Sequence, residues 1–150
     1  MLTSQGQDAR MNEIAGLIHD RVSRLARQLR HMELPNGMTS ERLSALTAIV
    51  DNGPIAVTAL AEREMVRPAT MSRMVSALVS DGLARRLENK SDGRGVLVVV
   101  TPKGRKAHQR AQQQRLTQLG SAIDSFTPDR LEALEDVVGV LTLLTDTLDN

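Results

Sequence analysis

Between residues 67 and 76 the chain sets an arginine, a proline and several small hydroxylic side chains at spacings that one helix face can present together. Met71, Met74, Val75, Leu78 and Val79 recur at i, i+3, i+4, i+7 and i+8, which makes them the buried stripe of a helix over about 68–81. At about 100° per residue, Ala69, Arg73, Ser76 and Ser80 then point away from that stripe, with Thr70 and Ser72 on its flanks. Small residues let a helix approach another surface closely. Hydroxyls and a guanidinium near its N-terminus can exchange hydrogen bonds with base edges and phosphates in a major groove. Pro68 suits the first helical position, where no backbone donor is required, and the helix dipole there favours an anion. Gly82 is the expected stop.

The elements around this helix must position it. A shorter helix is expected over 57–64, with Leu60 and Ala61 as its contacts to the first, joined by a turn at Arg67-Pro68. After Gly82, the β-prone runs 83–87 and 96–100 flank a stretch with turn chemistry throughout, from Glu88 to Gly95, which predicts a hairpin. Arg85, Arg86, Lys90 and Arg94 make that hairpin cationic, and Arg94 sits between two glycines, where a side chain can enter a minor groove unhindered. Helix, turn, helix and basic hairpin in this order describe a winged helix-turn-helix. A nucleotide-binding glycine loop does not fit 93–95, because no helix follows and the dinucleotide spacing is absent.

The ordered string Leu60-Ala61, 67–73, Leu78 with Asp81-Gly82-Leu83, Asp92-Gly93-Arg94 and Thr101-Pro102-Lys103-Gly104 resembles the MarR (multiple antibiotic resistance regulator) family, and the flanking helices extend the likeness over nearly the whole chain. The resemblance implies dimeric winged-helix transcription factors on pseudo-palindromic operators, usually repressors released by a small ligand. It implies that Thr70, Ser72 and Arg73 face the major groove, that Pro68 opens the recognition helix and that Arg94 enters the minor groove. Asp92 then corresponds to the family's wing aspartate, which orients a nearby arginine. Members often carry a second arginine after the position of Arg94, where this chain has Gly95. The full set of residues expected at DNA is Pro68, Ala69, Thr70, Ser72, Arg73, Ser76, Arg86, Lys90, Asp92 and Arg94.

Charge is distributed to match. The net charge of +1 hides eleven Lys and Arg against four acids over 63–110, and one arginine against seven acids over 121–150. A basic middle and an acidic end orient a protein on DNA better than they attract polyanions in general. Phe126 is the one aromatic residue, which counts against single strands and RNA loops, whose bases stack on rings. Cysteine is absent, which excludes disulfides, thiol sensing and Cys-based zinc sites. His19, His31 and His108 form no i, i+4 pair and no HExxH string, so they are expected on helix surfaces and no metal site is expected. No local signature of a hydrolase triad, a phosphate-binding loop or a kinase is present, so neither an enzyme nor a cofactor is expected.

The remaining segments read as helices that join two copies. Over 12–32, Ile18, Val22, Leu25, Leu29 and Met32 repeat at 4-3-4-3 with arginines mostly off the seam. Thr39 or Ser40 starts a further helix that stops at Asp51-Asn52-Gly53-Pro54. Thr101-Pro102 and Thr127-Pro128 start the last two. The final helix carries Leu131, Leu134, Val137, Val138, Leu141, Leu144 and Leu148, a stripe too wide for one contact. Residues 1–11 are polar and uncapped and are expected to be disordered. Without an apolar run of membrane length or a signal-peptide core, a cytoplasmic protein is expected.

The expected fold is therefore mainly α with a small β-hairpin wing, a single domain over 1–150. In it 39–101 forms the winged helix-turn-helix, and 12–33 with 102–149 form the dimerisation helices. The expected function is a ligand-responsive repressor that binds an inverted-repeat operator in double-stranded DNA as a homodimer, with a small-molecule effector and no membrane partner. The alternatives are an architectural DNA binder and a winged-helix module that binds protein.

Overall fold

The computed structural model describes residues 4–88 and 96–148. Its elements are α1 (Ser4–His31), a 3-10 turn (Pro35–Gly37), α2 (Ser40–Asn52), β1 (Ile55–Ala56), α3 (Val57–Arg63), α4 (Pro68–Ser80), β2 (Ala84–Glu88), β3 (Val96–Val100), α5 (Pro102–Ile123) and α6 (Pro128–Leu148). They divide into two compact units, residues up to 115 and residues from 116 onward. Among the described residues no helix is long and apolar enough to cross a membrane.

One core organises the first unit. Leu46 and Ile49 of α2, Leu60 of α3, Met71, Val75 and Leu78 of α4, and Val98 of β3 are its fully buried large side chains. The periodic stripe of α4 supplies three of these, and Met74 and Val79 pack at its edge. Local signals set the helix ends. Thr39 caps α2, its hydroxyl accepting from the Arg42 N–H at 3.2 Å. At the end of α4, Gly82 adopts φ +72°, its N–H donating to Val79 O at 2.9 Å while the Leu83 N–H donates to Leu78 O at 2.8 Å. That paired closure requires the left-handed conformation that glycine adopts without cost.

The sheet has three strands where the hairpin alone predicts two. β1 pairs antiparallel with β3, Ile55 opposite Val98, so the order is β1-β3-β2 and β3 becomes central. The run Val96-Leu97-Val98-Val99-Val100 is apolar without alternation, as suits a central strand, yet only Val98 is fully buried and Val96 at its start is exposed. Two-residue β1 is too short to announce itself by periodicity.

The base of the hairpin is fastened to α5. Thr101 donates its hydroxyl to Gly82 O at 2.6 Å and accepts from the Gly104 N–H at 3.0 Å, while the Thr101 N–H donates to Leu83 O. Gly104 is obligatory at this crossing, since a Cβ there would lie 1.9 Å from Leu83 O.

Two expectations are corrected. Residues 4–11 continue α1 and do not form a disordered lead; Gln7, Ala9 and Arg10 are good helix formers that extend an already nucleated helix at little cost. His108, expected on a helix surface, is buried against α2 with Nε2 3.1 Å from Thr47 Oγ1. The Thr47 hydroxyl already donates to Leu43 O, so the imidazole is the donor in that pair.

Candidate DNA interface

The α3–α4 turn presents the N-terminus of α4. α3 closes with Glu64 N–H on Leu60 O, Met65 N–H on Glu62 O and Val66 N–H on Ala61 O, which puts Met65 in the left-handed region at φ +51°. Pro68 then occupies the first helical turn, and the Thr70 and Met71 N–H groups donate to Arg67 O. The side of α4 opposite the core is open to solvent: Ala69, Ser72, Arg73, Ser76 and Ser80 are all exposed, as is Pro68.

Thr70 differs from the others. It is half-buried and, with Met74, lines a cleft of about 440 Å³ whose other walls include Leu29 and Arg30 of α1, Glu41 and Ser44 of α2, Glu64 after α3 and Arg115 of α5. Ser44 donates to the Glu64 carboxylate there, and Arg115 donates to Ser40 Oγ, which in turn donates to Arg30 O. The Nε of Arg115 is buried without a partner. The cleft thus backs onto the same helix whose far side is exposed.

Beyond the shared core, a side-chain hydrogen bond joins α4 to the sheet. Arg86 on β2, opposite Val98 of β3, donates to Ser76 Oγ at 2.8 Å, and Ser76 donates to Ser72 O at 2.9 Å. The single donor of the Ser76 hydroxyl is therefore used within the helix, and Arg86 is held over the exposed face of α4. Helical periodicity places Ser76 away from the core and the cationic run of the hairpin includes Arg86, but their pairing depends on how the hairpin folds back across the helix. Lys90, Asp92, Arg94 and the neighbouring Gly95 lie outside the described residues. Arg85, next to Arg86 on the strand, is exposed.

Both the sequence and the fold that carry this arrangement are similar to known proteins. The MarR family sequence profile matches residues 38–96, which run from the start of α2 into β3. An uncharacterized HTH-type transcriptional regulator of Mycobacterium leprae is 38% identical over 120 residues, 78% of this chain and 84% of that protein. Among solved structures, a MarR mutant from E. coli superposes with TM-score 0.70 at 24% identity, covering 87% of this chain and 95% of that one. The PcaV transcriptional regulator of Streptomyces coelicolor, solved with its natural ligand, gives TM-score 0.60 at 20% identity over 85% of this chain and 90% of that one. This chain belongs to the MarR family of DNA-binding winged helix-turn-helix transcriptional regulators.

Proposed function

We propose that the chain is a ligand-responsive repressor that works in the cytoplasm as a homodimer on an inverted-repeat operator. The observation that carries this reading is the contrast between a finished reading head and unfinished terminal helices. α6 has no buried residue, and Val137, Val138, Val140, Leu143 and Leu148 are exposed. α1 leaves Met11, Ile14, Leu17, Val22 and Leu25 exposed. Apolar stripes of this length are costly in water at roughly 25 cal/mol per Å², and a second copy of the chain covers them.

A two-fold dimer sets two α4 helices about one turn of DNA apart, so half-sites lie roughly 10 base pairs centre to centre. Arg73, with Ser72 and Thr70, reads or positions in the major groove. The N-terminus of α4 behind Pro68 and Ala69 takes a phosphate, and Ser76 holds Arg86 for the flanking backbone. In the wing, Lys90 and Arg94 follow the minor groove, with Asp92 orienting an arginine. Control enters through the cleft behind Thr70 and Met74. Its apolar residues and the unpartnered Nε of Arg115 suit a small acid, seated away from the Glu41 and Glu64 carboxylates that share the cleft, and a ligand there presses on α4 from the side opposite Arg73. Binding that prefers one setting of α4 shifts the population away from the spacing that the operator needs.

The decisive experiment is a gel shift at moderate salt on inverted-repeat and scrambled duplexes, with the mass in solution measured by light scattering. A dimer that prefers the inverted repeat is expected. Equal binding to both duplexes would indicate an architectural binder, and no binding to any duplex a protein-interaction module.

A further inference from the structure

We propose that the chain carries a second small-molecule site, for a phosphate ester or similar dianion with an apolar body, in the cavity at the base of the wing where Arg42, Lys103, Lys106 and Arg110 gather around Asp81. This cavity of about 730 Å³ is separate from the cleft behind Thr70 and lies between the start of α2, the α4–β2 turn and the first turns of α5. Its size is that of a ligand site, and its apolar surface comes from residues such as Met38, Leu83 and Ala107.

The charges in it are unbalanced. Asp81 is the one acid among the described residues that line the cavity, against four cations. Its carboxylate is taken by Arg42 and its main-chain carbonyl by Lys103 Nζ at 2.7 Å. Lys106 and Arg110 stand four residues apart on α5, both exposed, a spacing at which like charges repel. An ordinary solvated face would spread its cations over a convex surface. Here they rim a concavity with an apolar lining, and the guanidinium groups of Arg42 and Arg110 offer the forked donors that suit a phosphate.

The shape favours a small anion over the DNA backbone. Asp81 follows the C-terminal end of α4, whereas the face that reads DNA begins at its N-terminus, and β2 and β3 lead away from Gly82 and Thr101 to Glu88 and Val96 at their far ends. An anion here competes with Asp81 for Arg42 and Lys103, the two side chains that anchor the end of α4. Occupancy therefore alters the support of the reading helix. That regulatory consequence, unlike the binding itself, rests on the repressor reading above.

The test is calorimetric titration of the full chain at constant ionic strength with 1-naphthyl phosphate and with inorganic phosphate. Saturable binding of one naphthyl phosphate per chain is expected, at least about tenfold tighter than inorganic phosphate. Lys106→Gln with Arg110→Gln should weaken it at least about tenfold. Both residues are exposed, so an unchanged melting curve will separate lost binding from lost folding. Asp81→Asn, which releases Arg42, should tighten it several-fold. No saturable binding, or equal affinity in the double variant, overturns the site, and equal affinity for the two phosphates overturns the apolar body. If no small anion binds but the double variant weakens duplex DNA with a shallower salt dependence, these cations belong to the DNA footprint and the proposal fails.

Discussion

The reading head and the terminal helices contain similar amounts of leucine and valine and bury them very differently. In the head, a 13-residue α2 places Leu43, Ala45, Leu46, Ala48 and Ile49 out of water, because α3, α4 and β3 each offer it a matching face. In α6, 21 residues with a broad apolar stripe bury none. Apolar content alone does not make a core; a core forms where several short elements converge, and a long helix with a two-sided stripe waits for a surface as long as itself. The head is thus a stable platform for side chains that must hold position, and on the proposed homodimer the terminal helices become one when a second copy covers their stripes.

The largest expected effect comes from making one substitution in both regions. Leu46 is 0% exposed, so Leu46→Ala should cost about 2–5 kcal/mol in urea unfolding. Leu143 is 68% exposed, and Leu143→Ala should leave the stability of a dilute sample within about 0.5 kcal/mol. In concentrated samples the same change should weaken self-association. Equal losses at both sites at low concentration would erase the distinction between a finished and an unfinished region.

A second pair of variants sharpens the division by function. Arg73→Ala should weaken operator binding by about 1–3 kcal/mol and relax base preference, with the fold intact because the side chain is exposed. Val138→Asp with Leu143→Asp should weaken operator binding by loss of dimer, an effect that a covalently linked tandem dimer rescues. A tandem dimer that does not rescue would mean that α6 acts on DNA binding by another route.

The head is not relaxed everywhere. Met65 holds a left-handed φ of +51° at the α3–α4 turn and is 92% exposed, so its side chain gains little from packing there. Glycine accepts that conformation without the Cβ clash, and Met65→Gly should stabilise the head by up to about 1 kcal/mol in thermal unfolding. A destabilisation of that size would show that the methionine side chain supports the turn.

Much of the head was legible because its signals are local. The five-residue stripe of α4, the stop at Gly82 and the cap at Thr101 each depend on residues within one or two helical turns, and each lies where periodicity or turn chemistry predicts. What escaped depends on contacts distant in sequence. β1 is defined by its partner β3 about 40 residues away, and the burial of His108 depends on Thr47 across the α2–α5 seam. The start of α1 was missed for a different reason: a helix carried by propensity and left exposed shows no hydrophobic edge. Of the residues expected at DNA, periodicity alone puts Ala69, Arg73 and Ser76 in the open, but it leaves Thr70 and Ser72 both on flanks, and nothing local marks Thr70 as a wall of the cleft behind α4 while Ser72 is exposed.

The pairing of Ser76 with Arg86 is the least legible contact of the interface, and it gives the smallest effect. Ser76 donates to Ser72 O and accepts from Arg86, so its hydroxyl has no lone donor left for a base. If its role is to hold Arg86 over the backbone, Ser76→Ala and Arg86→Ala should each weaken operator binding, and the double variant should be little worse than Arg86→Ala alone. The coupling should be about 0.5–1 kcal/mol, the size of a net hydrogen bond at an exposed site. Because Arg86 belongs to the sheet and Ser76 to the helix, such coupling would mean that hairpin and helix approach DNA as one rigid surface. Additive losses would instead mean that each meets DNA separately. The reading head would then be two platforms that meet the duplex independently.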